Sequence, residues 1–256
     1  MEHITGKKRI DRLLDKQVLL SKAQRTKLDT ILQALATYKP IQYVLGEAWF
    51  AGMLFFVNEH VLIPRPETEE LVDWITSEIQ NSKFKIQNII DIGTGSGCIP
   101  ISLKKKSPGL SVTAVDISND ALIVAKQNAD SLQADIRLLN IDFLDETNWD
   151  QLPVFDIIVS NPPYIKQSEQ SNMNKNVLDF EPLIALFVPD EDALLFYRKI
   201  AVFGKTHLAK QGYIFFEINE ALGKEVCALL EANGYKVELR KDLQGKDRMV
   251  RANLKC

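Results

Sequence analysis

After residue 86 the chain alternates short apolar runs of β-favouring residues with helix-patterned segments, which narrows the possible folds sharply. "IQNIIDIG", "SVTAVDI", "IRLLNID", "FDIIVS" and "GYIFFEI" read as strands bounded by turn residues. "GCIPISLKKK", "SNDALIVAKQNADSL", "EDALLFYRKIAVFGKTHL" and "ALGKEVCALLEANG" read as helices. Ser118 or Asn119 caps the second of these, and Gly234 ends the last. Such alternation covers both faces of a mostly parallel sheet with helices. Only "LQGKD" separates "YKVELRKD" from "RMVRANL", too little for a crossover. These two runs are therefore expected to form an antiparallel hairpin at one sheet edge. The fold class is α/β: a doubly wound, seven-stranded sheet.

The residues before this region follow another pattern. "SKAQRTKLDTILQALATY" starts at a capping serine, Ser21, and repeats apolar residues at Leu28, Ile31, Leu32 and Leu35, a helical stripe that Pro40 ends. "EAWFAGMLFFVNEHVLI" places β-favouring residues on both sides of Ala51-Gly52, a hairpin signal. "PRPETEELVDWITSEI" reads as a loop entering a helix near Glu67 or Thr68, with Leu71, Val72 and Ile75 as its buried stripe. The first thirty residues carry eight basic side chains (Lys7, Lys8, Arg9, Arg12, Lys16, Lys22, Arg25, Lys27) against four acids (Glu2, Asp11, Asp15, Asp29). The whole chain has a net charge of -3, so the basic stretch reads as a solvated helix face rather than a footprint for bulk nucleic acid. Cys98, Cys227 and Cys256 are widely spaced, which argues against a disulfide framework or a zinc site and fits a reducing cytoplasm. No apolar leader or long apolar span is evident, so neither a signal peptide nor a membrane helix is expected.

The first strand of the alternating region runs into "DIGTGSG", Asp91 to Gly97, which opens a helix. Glycines let the backbone turn tightly and let a ligand approach the helix N-terminus. The spacing of Gly93, Gly95 and Gly97 departs from the dinucleotide fingerprint G-x-G-x-x-G, and no phosphate-loop lysine follows. The pattern is the one associated with S-adenosylmethionine in doubly wound methyltransferases; a purely structural strand-to-helix turn is the bland alternative. Asp116 closes the second strand, where a carboxylate can accept both hydroxyls of a ribose, or instead cap the next helix. Asp142 closes the third, beside the place of an adenine ring, with Phe143 available against its face, unless both are ordinary loop residues.

The fourth strand ends in "SNPPYI", Ser160 to Ile165. Ligands in such sheets bind outside the strand carboxyl ends, at the switch point between first and fourth strands, so Asn161 should lie beside the glycine loop. Asn161 offers a side-chain acceptor, while Pro162 and Pro163 have fixed φ and no N–H. Tyr164 offers a flat face. The turn therefore suits a planar ligand bearing an NH2 group, whose two N–H bonds meet the Asn161 side chain and the Pro162 carbonyl. Both an adenine amine and a carboxamide meet that description.

Taken together, "DIGTGSG", "AVDIS" and "SNPPYI" resemble the HemK/PrmC family. Further matching stretches are "PIQYVLGEAWFAG" (Pro40 to Gly52), "VLIPRPETEELV" (Val61 to Val72), "EPLIALF" (Glu181 to Phe187) and "DLQGKDRMV" (Asp242 to Val250). "NPPY" alone is shared with enzymes that methylate adenine amines in DNA; its combination with "IPRPETE" is specific. The resemblance implies a Rossmann-like S-adenosylmethionine-dependent methyltransferase that releases S-adenosylhomocysteine. Its implied substrate is the side-chain amide of the glutamine in the Gly-Gly-Gln motif of class I peptide chain release factors. A ribosomal-protein glutamine is the alternative within the wider family, and an adenine amine in nucleic acid the more distant one. Cofactor binding carries over onto Gly93, Thr94, Gly95, Ser96, Gly97 and Asp116, with Asp142, Phe143 and Asn161 beside them. Substrate binding and catalysis carry over onto Asn161, Pro162, Pro163 and Tyr164; Arg65 and Glu67 either shape the cofactor pocket or belong to a structured interdomain linker. The implied organisation is a helical substrate-recognition domain at 1–40, a β-hairpin linker at 41–66 and a catalytic domain at 67–256. The family's N-terminal domain normally begins with a further helix, so this one is expected to be partial. A cytoplasmic monomer acting on a protein, without metal, direct nucleic-acid contact or membrane, completes the expectation.

Overall fold

The computed structural model describes residues 2–14 and 19–255. Asp15, Lys16 and Cys256 lie outside the described residues, as do the side chains of Arg9 and Arg12. Four helices come first: α1 (Glu2–Thr5), α2 (Arg9–Leu14), α3 (Lys22–Ala36) and α4 (Ile41–Leu45). A hairpin of β1 (Glu47–Phe50) and β2 (Met53–Phe56) follows, then α5 (Pro66–Asn81). The alternating region supplies β3 (Asn88–Ile92), α6 (Cys98–Lys106), β4 (Ser111–Asp116), α7 (Asn119–Ser131), β5 (Arg137–Asn140) and β6 (Phe155–Ser160). After β6 come a two-residue strand β7 (Ile165–Lys166), the short helix α8 (Lys175–Leu178) and β8 (Phe187–Val188). The chain ends in α9 (Leu195–His207), β9 (Leu208–Glu217), α10 (Gly223–Ala232), β10 (Tyr235–Lys241) and β11 (Asp247–Leu254).

Seven strands make the main sheet, in the order β10-β11-β9-β6-β3-β4-β5. β5, β4, β3, β6 and β9 run parallel; β11 is antiparallel to both β9 and β10. The expected edge hairpin is therefore present. Its return strand, β11, is the one that joins the sheet. The alternation of strand side chains sorts the core into two layers. Ile89, Val112, Ile157, Val159 and Phe215 pack with α5, α6 and the hairpin's Phe50 and Phe55. Ile90, Ile92, Val115, Ile158 and Phe216 pack with α9 and α10 on the other face.

The expected helix is α3, and its apolar stripe stays largely open: Leu32 is 52% exposed and no residue of the helix is fully covered. Ser21 does cap it, in a reciprocal box with Gln24, so local capping rather than burial defines its start. Residues 191–194, read as the start of the helix, precede α9, which begins at Leu195. Leu208, read as the helix end, instead opens β9, whose register slips where it meets β6. Apolar runs of this kind fit a helix or a buried strand equally well, and tertiary pairing decides.

Gly204 shows how closely α9 lies on the sheet. A Cβ there would stand 2.5 Å from the Tyr235 hydroxyl and 2.8 Å from an Ile214 methyl. That hydroxyl donates to the Ala201 carbonyl at 2.7 Å and cannot move away without losing its partner. Gly204→Ala is expected to destabilise the fold by about 1–3 kcal/mol through overpacking. A thermal melt checks this, and an unchanged midpoint would show that α9 has room to retreat.

Candidate active site

The parallel pairing of β3 with β6 brings two loops to the same sheet edge: Asp91 lies opposite Val159, just before the glycine loop and the proline turn begin. Ser160 ties them further by donating its buried hydroxyl to the Ile92 carbonyl at 2.7 Å. Gly93, Gly95 and Gly97 all have positive φ (76°, 53° and 78°), which side chains other than glycine's rarely tolerate. A Cβ on Gly93 or Gly95 would project into open space, whereas one on Gly97 would press on Ile101 and Ala125. The first two glycines thus leave room for a ligand, and the third lets α6 approach α7.

Asp116, at the end of β4, accepts the Gly95 N–H at 2.8 Å through one oxygen and the Ser118 N–H at 2.9 Å through the other. Ser118 itself caps α7, so Asp116 is not that cap. Burial raises the Asp116 pKa, against the lowering effect of the backbone N–H groups of Ser118, Gly95 and Ile117. Asn128 of α7 clamps the region from behind. It accepts from the Phe56 N–H and donates to the Phe56 and Ser96 carbonyls, joining β2 to the glycine loop.

One cavity unites most of the predicted residues: Gly93, Thr94, Gly95, Ser96, Asp116, Asp142, Phe143, Asn161, Pro162 and Pro163 line it. Gly97 stays below as the N-cap of α6. Phe143 is also a core residue, held against Trp149 and Phe203. Arg65 lines the cavity, and Glu67 does not. Tyr164 does not line it either. Its ring packs against the α9 face of the core, where burial pushes the phenol up to about 12. Covering an aromatic ring there removes more apolar surface than leaving it at an open rim.

Two buried acids join the site beyond the residues expected to form it. Glu181, 4% exposed, accepts from Arg65 at 2.6 Å, so the "EPLIALF" and "IPRPETE" stretches are one wall. Glu217, 2% exposed at the end of β9, accepts the Thr68 hydroxyl at 2.6 Å. Asn161 donates to that same Thr68 oxygen at 3.3 Å. Burial pushes Glu217 up to about 7, with Thr68, Arg248 and Asn161 opposing the shift and Glu67 adding to it. An acid closing the apolar run "GYIFFEI" was the available signal.

Asp91 is fully buried, and among the described residues neither of its oxygens meets a partner at full hydrogen-bond geometry; the adjacent Thr94 hydroxyl is likewise without one. Burial pushes Asp91 up to about 7, Thr94 lowers it, and the charge of Asp116 raises it. A nucleoside fits the cavity's lining, with hydroxyls toward Asp116 and a ring beside Phe143 and Ile117; the buried Asp91 carboxylate does not itself line the cavity but favours a positively charged group near the glycine loop. Among the described residues, no cluster of His, Cys, Asp or Glu could hold a metal ion, and no helix is long and apolar enough to cross a membrane.

Two family models match the chain, one described as the Methyltransferase small domain over residues 68–179 and one as the PrmC N-terminal domain over residues 1–46. The chain is 48% identical over 250 residues to a release factor glutamine methyltransferase of Flavobacterium psychrophilum, covering 97% of this chain and 87% of the relative. A Bacteroides thetaiotaomicron protein of the same name is 45% identical over 245 residues, covering 95% and 86%. A solved T. Thermophilus 16S rRNA methyltransferase in complex with AdoMet and guanosine aligns with a TM-score of 0.59 at 17% identity. That alignment spans 82% of this chain and 50% of the other, a likeness of fold alone.

Arg65→Met should leave the Glu181 carboxylate buried without its cation. The expected loss is about 1–3 kcal/mol, below that of a fully buried pair because Arg65 reaches solvent. Adding Glu181→Gln should recover part of it. Chemical denaturation reads both effects, and a wild-type midpoint for Arg65→Met would show that the pair does not hold this wall.

Proposed function

The chain belongs to the release factor glutamine methyltransferase family, and we propose that it methylates the side-chain amide nitrogen of the Gly-Gly-Gln glutamine in class I release factors. The observation that carries this reading is the Asn161-Pro162-Pro163 turn beside the glycine loop, in one cavity. When bound, S-adenosylmethionine supplies a methyl group on a sulfonium sulfur and leaves as S-adenosylhomocysteine. The chain's own residues do the rest. Gly93, Thr94, Gly95, Ser96 and Gly97 give the backbone a close approach, and Asp116 takes the ribose hydroxyls. Asp142 and Phe143 border the adenine, and the buried Asp91 is assigned to attract the cofactor's amino end by charge rather than by contact.

Asn161 and Pro162 hold the substrate amide. An amide nitrogen is a weak nucleophile because its lone pair is delocalised. Two acceptors, the Asn161 side-chain oxygen and the Pro162 carbonyl, fix both N–H bonds and aim the nitrogen. Pro162 and Pro163 contribute no competing N–H. The methylated nitrogen sheds one proton to water, so the site needs no strong base. Tyr164 buttresses the turn from the core side. Residues 1–40 are assigned to substrate recognition and 67–256 to catalysis. The segment 41–66 links them, its Phe50 and Phe55 sharing a core with α5. The protein is proposed to act as a cytoplasmic monomer on a protein substrate, not on nucleic acid.

Asn161→Ala should lower turnover on a purified class I release factor by about 10²–10³, the scale for loss of one preorganised polar group, while S-adenosylmethionine still binds. Asp116→Ala should instead weaken S-adenosylmethionine binding by roughly 10–100-fold, through loss of charge-assisted hydrogen bonds. Steady-state kinetics and calorimetry separate the two. Wild-type turnover in Asn161→Ala would remove the acceptor mechanism.

A further inference from the structure

A carboxamide can present either end to the cavity, and only the oxygen end of Asn161 accepts from an NH2. We propose that Thr68 and Glu217 are positioning residues that decide which end is presented. The proposal rests on the glutamine-amide reading and extends it to Thr68, on the cavity wall, and Glu217 behind it.

The logic is a count of protons. Thr68 has one hydroxyl proton, and it goes to the Glu217 carboxylate at 2.6 Å. The Thr68 oxygen is then purely an acceptor toward its other neighbour. Asn161, with its carboxamide nitrogen 3.3 Å away, must meet it with an N–H. Turning the carboxamide over would set oxygen against oxygen with no proton between them. The Asn161 oxygen is thus left for the cavity. Water has little access to the two groups behind Asn161: Thr68 and Glu217 are each 2% exposed, while Asn161 itself is partly buried at the cavity wall.

The relay depends on the charge of Glu217. A protonated Glu217 could donate to the Thr68 oxygen, freeing the Thr68 proton for the Asn161 oxygen. The NH2 end of Asn161 would then face the NH2 of the substrate, donor against donor. The charged and titratable groups around Glu217 are Arg248 from β11, Glu67 from α5, Tyr164 after β6, Tyr197 from α9 and Cys98 from α6. Arg248 alone among them favours the carboxylate, and it is held by Asp242 and Glu220. Burial outweighs it and leaves Glu217 titrating at about 7. The active form is the ionised one, so turnover rises with pH.

The test is kcat on a class I release factor at saturating S-adenosylmethionine, which removes any titration of Asp91 acting through cofactor binding. Thr68→Val, which keeps the shape and loses the hydroxyl, should lower kcat about tenfold or more, with the S-adenosylmethionine dissociation constant changed less than about twofold. Thr68→Ser should restore kcat to within about threefold. Wild-type kcat should rise roughly tenfold from about pH 6 to about pH 8, and Glu217→Gln should flatten that profile. Full kcat in Thr68→Val, equal loss in Thr68→Ser, or an unchanged pH profile in Glu217→Gln would overturn the proposal. If Thr68→Val does not fold, the Ser variant and the pH profile decide alone. Asn161→Ala in the same assay separates the two levels. An inactive Asn161→Ala beside a fully active Thr68→Val refutes only the relay. An active Asn161→Ala refutes the acceptor reading and the relay with it.

Discussion

The parallel pairing of β3 with β6 is the constraint on which the site depends. At that seam the strand order changes direction, and the loops leaving the two strand ends must part above the sheet. The space between them is the cavity. The Ser160 hydroxyl on the Ile92 carbonyl stops the ends from drifting, and Asp116 and Asn128 hold the glycine loop from the β4 and α7 sides. The proline turn cannot extend the ladder, so β6 stops where its next residue enters the cavity.

Polar groups at this seam are held at a cost. Asp91 and Glu217 are buried acids whose folded-state pKa values stand near 7, above their unfolded values. A raised acid pKa means that the folded chain binds the proton more tightly than the unfolded chain. Stability from this source is present at low pH and is lost as pH rises through about 7. The proposed chemistry asks for the opposite charge state at both positions: an anion near an ammonium at Asp91 and an anion toward Thr68 at Glu217. The site is therefore assembled against the preference of the fold, as functional sites often are.

Much of this was legible in the sequence. The strand–helix alternation, the edge hairpin, the three glycines and the Asn-Pro-Pro turn are local patterns with local physical causes, and the structure places them together. Less legible were contacts between distant residues. Thr68 read only as part of a helix start, and Glu217 as the end of a strand, because nothing in a window of ten residues joins them. Glu181 and Arg65 lay in two recognisable stretches without a sign that they touch. Tyr164 has the right residue type for a stacking platform, and only the packing shows its ring turned into the core. The α3 stripe had the right period, but the described residues around it do not cover it.

The central claim is that the turn reads a glutamine amide rather than an adenine amine. The direct measurement is to incubate the protein with labelled S-adenosylmethionine and whole-cell extract, then sequence the labelled material by tandem mass spectrometry. The account predicts one methyl group on the side-chain nitrogen of the glutamine in a Gly-Gly-Gln peptide, with nucleic acid unlabelled. Label on adenine, or on a glutamine outside that motif alone, would contradict it.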